Sequence, residues 1–230
     1  MSNSKIDKGN IGKLCISVGV WLIYIIWVLK VASTDLTVTN FLLHLVFLGI
    51  IVLIYFNDIK KYISDYKKDG KKGIKSVLIY TLILFGILVV SNILISIISG
   101  MMGSSFDADS GSKAIGVLFS QAPWGTLFAT FLTVIFYSIV EEFVFRKSIR
   151  DVVKNPILFV VISSLITWYF QATIFSPKLS EFVISLSVLF NSVFASIVYV
   201  KRGNILYTIF PRMIYNLIIC GIQLVHLLTK

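Results

Sequence analysis

Two adjacent glutamates, Glu141 and Glu142, interrupt the apolar run TLFATFLTVIFYSIVEEFVFRKSIRD, whereas the other nine of the eleven acidic residues lie in loops or flanks. Charge at that depth is expensive in lipid, so it must face a cavity or a partner, and its default meaning is a functional site. A buried carboxylate pair can serve as a general base, line an ion pathway or neutralise buried cations. One cation is already in reach: Arg146 follows Glu142 by four residues. A helix ending near Val140 would leave all three groups at the headgroups as a surface ion pair. Against that ending, Phe143, Val144 and Phe145 continue the apolar face, and the next span starts only at Asn155-Pro156. With the turn near 151–155, Glu142 stands about 15 Å along the helix from it. The same ruler places Gln171 about 24 Å beyond Asn155, and Arg212 and Asn216 about 14 and 20 Å beyond Gly203. Arg212 and Asn216, four apart, face the same way. A polar pocket shared by three helices is therefore geometrically possible.

The elements that must position these groups are membrane helices. Of 230 residues 57% are hydrophobic and 14% charged, and the mean hydropathy of +0.91 lies outside the range of soluble domains. Apolar runs at 11–32, 40–56, 76–101, 123–150, 155–175, 181–200 and 204–228 predict an all-α polytopic transmembrane bundle of about seven helices. They form one compact membrane domain, with residues 1–110 supplying N-terminal helices and 111–230 carrying the glutamates. Between the second and third runs, the segment 57–75 carries seven lysines (Lys60, Lys61, Lys67, Lys68, Lys71, Lys72 and Lys75). It reads as a cytoplasmic loop, with possible contact to anionic lipid. This puts sixteen of the twenty-one basic residues inside and Lys30, Lys113, Lys178 and Lys230 outside, with Arg212 within the last apolar run. The expected protein is a multi-pass cell-membrane protein with a cytoplasmic N-terminus and an external C-terminus. No small-residue cleavage site follows the first run near 31–36, so that helix is read as retained.

Membrane topology accounts for the net charge of +10, and no aromatic-interleaved basic face or recognisable module points to nucleic acid. Cys15 and Cys220 lie inside apolar runs without metal-site spacing and read as packing residues. His44 and His226 read as core or interfacial residues. The external segment 103–125 has a short apolar stretch at 115–119 that suits an interfacial helix or, equally, a loop dipping toward the headgroups.

The string EEFVFRKSIRDVV, with E-E-x-x-x-R at Glu141, Glu142 and Arg146, resembles the first signature of the CPBP superfamily, the CAAX proteases and bacteriocin-processing proteins also called Abi. The resemblance covers about residues 120–220 and implies a CPBP/Abi-like core within 111–230. In that family a serine-rich helix ends in a histidine, and a last helix after an R/T-G-S/N turn carries His-x-x-x-Asn. SSLITWYFQ aligns with the first, placing Gln171 at its histidine. RGNILYTIFPRMIYN aligns with the last, with Asn216 in register and Arg212 at the second histidine. Both family histidines are thus replaced.

In peptide-cleaving members the resemblance implies that glutamate activates a water, while the histidines polarise the scissile carbonyl or bind a metal. Glutamine supplies only a neutral hydrogen bond. Arginine neither accepts a proton nor binds a metal, and paired with a glutamate it weakens that base. Zinc held by two glutamates, glutamine and asparagine would lack imidazole or thiolate, so no metal or other cofactor is expected. The residues suit a structural network instead: Glu141 and Glu142 paired with arginine, with Gln171 and Asn216 completing the hydrogen bonds. Trp168, Tyr169 and Phe170 would fill a former substrate cavity or face lipid. The resemblance then implies a catalytically inactive CAAX-protease-like scaffold or regulator of a membrane or cell-wall partner, as in the lysostaphin-resistance protein A group, or a bacteriocin-immunity role. The competing reading is an active intramembrane endopeptidase in which Glu141 and Glu142 act on a peptide and Arg212 clamps the oxyanion. A transporter or ion pathway is a third, with buried Glu and Arg in its favour and seven unrepeated helices against it.

Overall fold

The computed structural model describes residues 8–30, 38–101, 123–175 and 185–229, and among them it contains helices and no strands. Seven helices follow in order: α1 (Lys8–Lys30), α2 (Val38–Ile54), α3 (Phe56–Met101), α4 (residues 123–152), α5 (Pro156–Phe175), α6 (Leu186–Arg202) and α7 (Leu206–Leu228). The stretches Lys8–Trp27, Phe56–Ile98, Gly125–Val152 and Leu206–His226 are long and apolar enough to cross a bilayer, and Asn40–Ile54 and Pro156–Phe170 are shorter apolar helices. Large apolar side chains such as Ile23, Leu82, Ile93 and Ile222 stand exposed on the outer surface. In water that surface would aggregate; in lipid it is solvated, and the chain is a multi-pass membrane protein.

The bundle is built around α4, the most buried of the long spans. One flank is aromatic. Tyr24 of α1 meets Phe47 and Phe136, Trp21 sets its edge on Phe145, and Tyr55 stacks on Phe143. His44 belongs to this core: its Nδ1 lies 2.6 Å from the Asn40 carbonyl, which can only accept, so Nε2 is left to accept from Tyr24 Oη at 3.1 Å. Cys220 is buried as expected, whereas Cys15 is exposed on α1 and is not a packing residue. At the lysine-rich end, Lys147 of α4 lies 2.6 Å from Asp151 and 3.4 Å from Asp58, which Lys13 also reaches at 3.3 Å. These contacts tie α1, α3 and α4 together directly beneath the glutamates.

The turns are specified locally. Pro156 opens α5 at a position where its missing N–H is not needed, and Asn155 Oδ1 accepts from the N–H groups of Ile157 and Leu158 at 3.0 and 3.1 Å. Gly203 ends α6 in the left-handed region at φ 65°, its N–H donating to the Tyr199 carbonyl. Asn204 then accepts from the Leu206 N–H at 3.0 Å and donates to the Tyr62 carbonyl at 2.9 Å, starting α7 and pinning α3 beside it.

The segment 57–75, expected as a loop, is helical. It forms the first part of α3 up to a bend at Gly70, whose φ of 50° and ψ of −129° suit glycine and strain any other residue. Ile59, Tyr62 and Tyr66 pack inward against the core from this charged stretch. The candidate interfacial helix at 115–119 lies outside the described residues.

Candidate functional site

The glutamates sit where the backbone of α4 departs from α-helical register. Two stretches of the helix, Phe131–Phe136 and Glu142–Lys147, are π-helical, and such wide turns turn carbonyls toward outside partners. Those partners are supplied. Asn216 of α7 donates from Nδ2 to the Thr133 carbonyl at 2.8 Å and to Ser138 Oγ at 3.2 Å. Ser163 of α5 donates to the Phe145 carbonyl at 2.7 Å and accepts from Ser196 of α6 at 3.3 Å. Polar side chains of α5 and α7 thus hold α4 in this register, with Ser196 of α6 behind Ser163.

At the start of the second π turn, Glu142 is fully buried, and Glu141 just before it and Arg146 within it are nearly so. Arg146 donates from Nη1 to Glu142 Oε1 at 2.5 Å and from Nη2 to Ser192 Oγ of α6 at 3.1 Å. Arg212 of α7 pairs through Nη2 with Glu141 Oε2 and brings Nη1 within 3.5 Å of Glu142 Oε1. Thr208 donates to Glu142 Oε2 at 2.7 Å. Its hydroxyl also lies 2.8 Å from the Ile205 carbonyl, and the charged acceptor is the stronger partner for its single proton. Two carboxylates and two guanidiniums therefore form one charge-balanced cluster. Its balance is what makes it tolerable: a buried ion with its partner removed destabilises a protein by about 3–5 kcal/mol.

One face of the cluster opens on a cavity of about 130 Å³ between α3, α4, α5, α6 and α7. Glu142, Arg146, Arg212, Asn191, Ser192 and Thr208 give it a polar floor, and Leu84, Val188, Pro211 and Tyr215 are among its apolar walls. The Arg212 side chain is 25% exposed, against 1% for Glu142, so Arg212 is the member of the cluster that anything entering would meet first.

The residues singled out in the sequence divide accordingly. Glu141, Glu142, Arg146 and Arg212 come together. Asn216 lines the same cavity but serves the π turn at Thr133 instead of the carboxylates, one helical turn beyond Arg212 on α7. Gln171 lies in α5, and its side chain is outside the described residues. Trp168, Tyr169 and Phe170 do not fill the cavity: Trp168 donates to Ser185 Oγ at 2.8 Å, Tyr169 is exposed, and Phe170 stacks on Phe145. Sequence reasoning missed Thr208 and Ser192. Thr208 carries a signal, since 208, 212 and 216 share one helical face. Ser192 carries none, because nothing in the sequence anchors α6 against the glutamates.

The arrangement has definite chemical limits. Both oxygens of Glu142 are engaged by cationic or hydroxyl donors, so it can take a proton from water only after releasing one of them. The donor set does not suit zinc, because the nearest neighbours of the carboxylates are guanidiniums, His44 is committed to Tyr24 and Asn40, and His226 is exposed at the far end of α7. A charged hydrogen-bond donor on the polar floor of a cavity remains, in Arg212.

Residues 123–218, covering α4 to α6 and most of α7, match the model of the family described as type II CAAX prenyl endopeptidase Rce1-like. No curated protein and no solved structure matches the chain. The match begins where α4 begins, contains both glutamates and all their partners named above, and ends two residues after Asn216. Residues 123–218, with the glutamate pair among them, are thus similar to the Rce1-like CAAX endopeptidases of the CPBP superfamily.

Proposed function

We propose that this chain is a non-proteolytic member of the CAAX-endopeptidase-like family that holds or regulates a partner protein in the membrane or cell wall. The observation that carries this reading is Arg212. It stands at the position where the family resemblance puts a histidine, and it contacts both glutamates. A permanently charged donor there removes the neutral base and the ligand that an imidazole offers, and it occupies the carboxylates that would activate water. The motif residues then keep an architectural role, joining α4 to α6 and α7 through ion pairs and hydrogen bonds. A bacteriocin-immunity role is a second non-enzymatic form of the same reading.

The competing reading is an intramembrane endopeptidase in which Glu141 or Glu142 is the base and Arg212 the oxyanion clamp. The position of Arg212 on the cavity supports it. The two readings separate in one comparison. The detergent-solubilised chain and its Arg212→His variant are used to capture partners from membranes, and both are incubated with CAAX-type peptides. Capture of the same partner by both, with no cleavage by the native chain, is the expected result. Cleavage by the native chain that disappears with Glu141→Gln would overturn it.

A further inference from the structure

We propose that the lysine-rich end of α3 and the groove beside it form a binding site for one anionic phospholipid. The groove, of about 370 Å³, runs between α3, α4 and α7 on the outer surface. Its walls are almost entirely apolar: Tyr66, Ile74 and Leu78 on one side, Phe210, Met213 and Leu217 on the other. Ile74, Leu78 and Leu217 are more than half exposed, so the groove opens to the lipid phase and is shaped to take a hydrocarbon chain.

A chain alone would not select among lipids; the lysines do. Past the bend at Gly70, Lys71, Ile74, Lys75 and Leu78 follow at i, i+3, i+4 and i+7 and share one face of the helix. Ile74 and Leu78 line the groove, and Lys71 and Lys75, both exposed, lie one turn before them on the same face of α3, just ahead of the apolar run at 76–101. This is the headgroup level of a spanning helix, where lysine clusters attract anionic lipid. No carboxylate of α3 follows Asp69, and Asp69 accepts from Tyr207 on a neighbouring face. A phosphodiester beside Lys71 and Lys75 with an acyl chain along Ile74 and Leu78 satisfies both halves of the site at once.

The test uses the full chain reconstituted into vesicles of equal phosphatidylcholine and phosphatidylglycerol, extracted in a non-ionic detergent, with retained lipid read by native mass spectrometry. Phosphatidylglycerol should be retained several-fold over phosphatidylcholine. Lys71→Gln and Lys75→Gln should each reduce that bias about fivefold, while the paired Lys60→Gln/Lys61→Gln change, on the other side of the bend, leaves it intact. Filling the groove with Leu78→Trp/Leu217→Trp should abolish retention although every lysine remains. Equal retention of the two lipids by the native chain would overturn the proposal. So would a loss with Lys60→Gln/Lys61→Gln equal to that with Lys71→Gln/Lys75→Gln, which would mean diffuse surface charge, or undiminished retention in the tryptophan variant.

Discussion

At the scale of single residues, the glutamate pair is governed by what its oxygens touch. Glu142 has a guanidinium on each side of one oxygen and the Thr208 hydroxyl on the other. Removing that hydroxyl leaves a buried carboxylate oxygen short of a donor, which costs about 1–3 kcal/mol. Thr208→Val, which keeps shape and volume, should therefore lower the melting temperature of the solubilised protein, whereas Ser192→Ala should have a smaller effect because Arg146 keeps its bond to Glu142. Equal, negligible effects of the two would show that Glu142 does not depend on Thr208. Much of this was legible from spacing alone, because Glu142 to Arg146 and Arg212 to Asn216 are four-residue steps and the turns at 153–155 and 203–204 fix their depth. What spacing could not show is which acceptor each side chain takes. Asn216 was expected among the carboxylates and bonds instead to Thr133, because the π turn offers a carbonyl that an ideal helix would have kept for itself.

The helices repeat this division between pattern and detail. Hydropathy located all seven, since each must present apolar surface to lipid or core over most of its length. It misread 57–75, where a dense run of lysines around Gly70 suggested a loop. The inward row Ile59, Tyr62 and Tyr66 was the contrary signal, at helical spacing. The two π-helical stretches left no trace in the pattern, because a one-residue shift in hydrogen-bond register does not alter which residues are apolar. Gly70 is the element-scale test. With φ at 50° and ψ at −129°, Gly70→Ala should destabilise by about 1–3 kcal/mol and disturb the lysine-rich end first, read as faster hydrogen exchange in 57–75 than in α4. Exchange that rises uniformly along the chain, or not at all, would mean that the bend is not held by that glycine.

For the molecule as a whole, the question is whether the four buried charges support the bundle or burden it. Active-site residues are commonly kept at the expense of stability, so that removing one stabilises the protein. A structural cluster behaves in the opposite way, since deleting one charge strands its partner in a medium that cannot solvate it. Residues 123–218, which contain this cluster, match the model of an endopeptidase family, while its geometry joins α4 to α6 and α7 through Arg146, Ser192, Thr208 and Arg212. The decisive measurement is a double-mutant cycle on the unfolding of the solubilised chain, with Glu141→Gln, Arg212→Met and the two combined. Each single change should destabilise, by about 3–5 kcal/mol where the remaining charge stays buried, and the combined variant should recover a large part of that loss. Single variants at least as stable as the native chain would contradict a structural role and return the glutamates to catalysis.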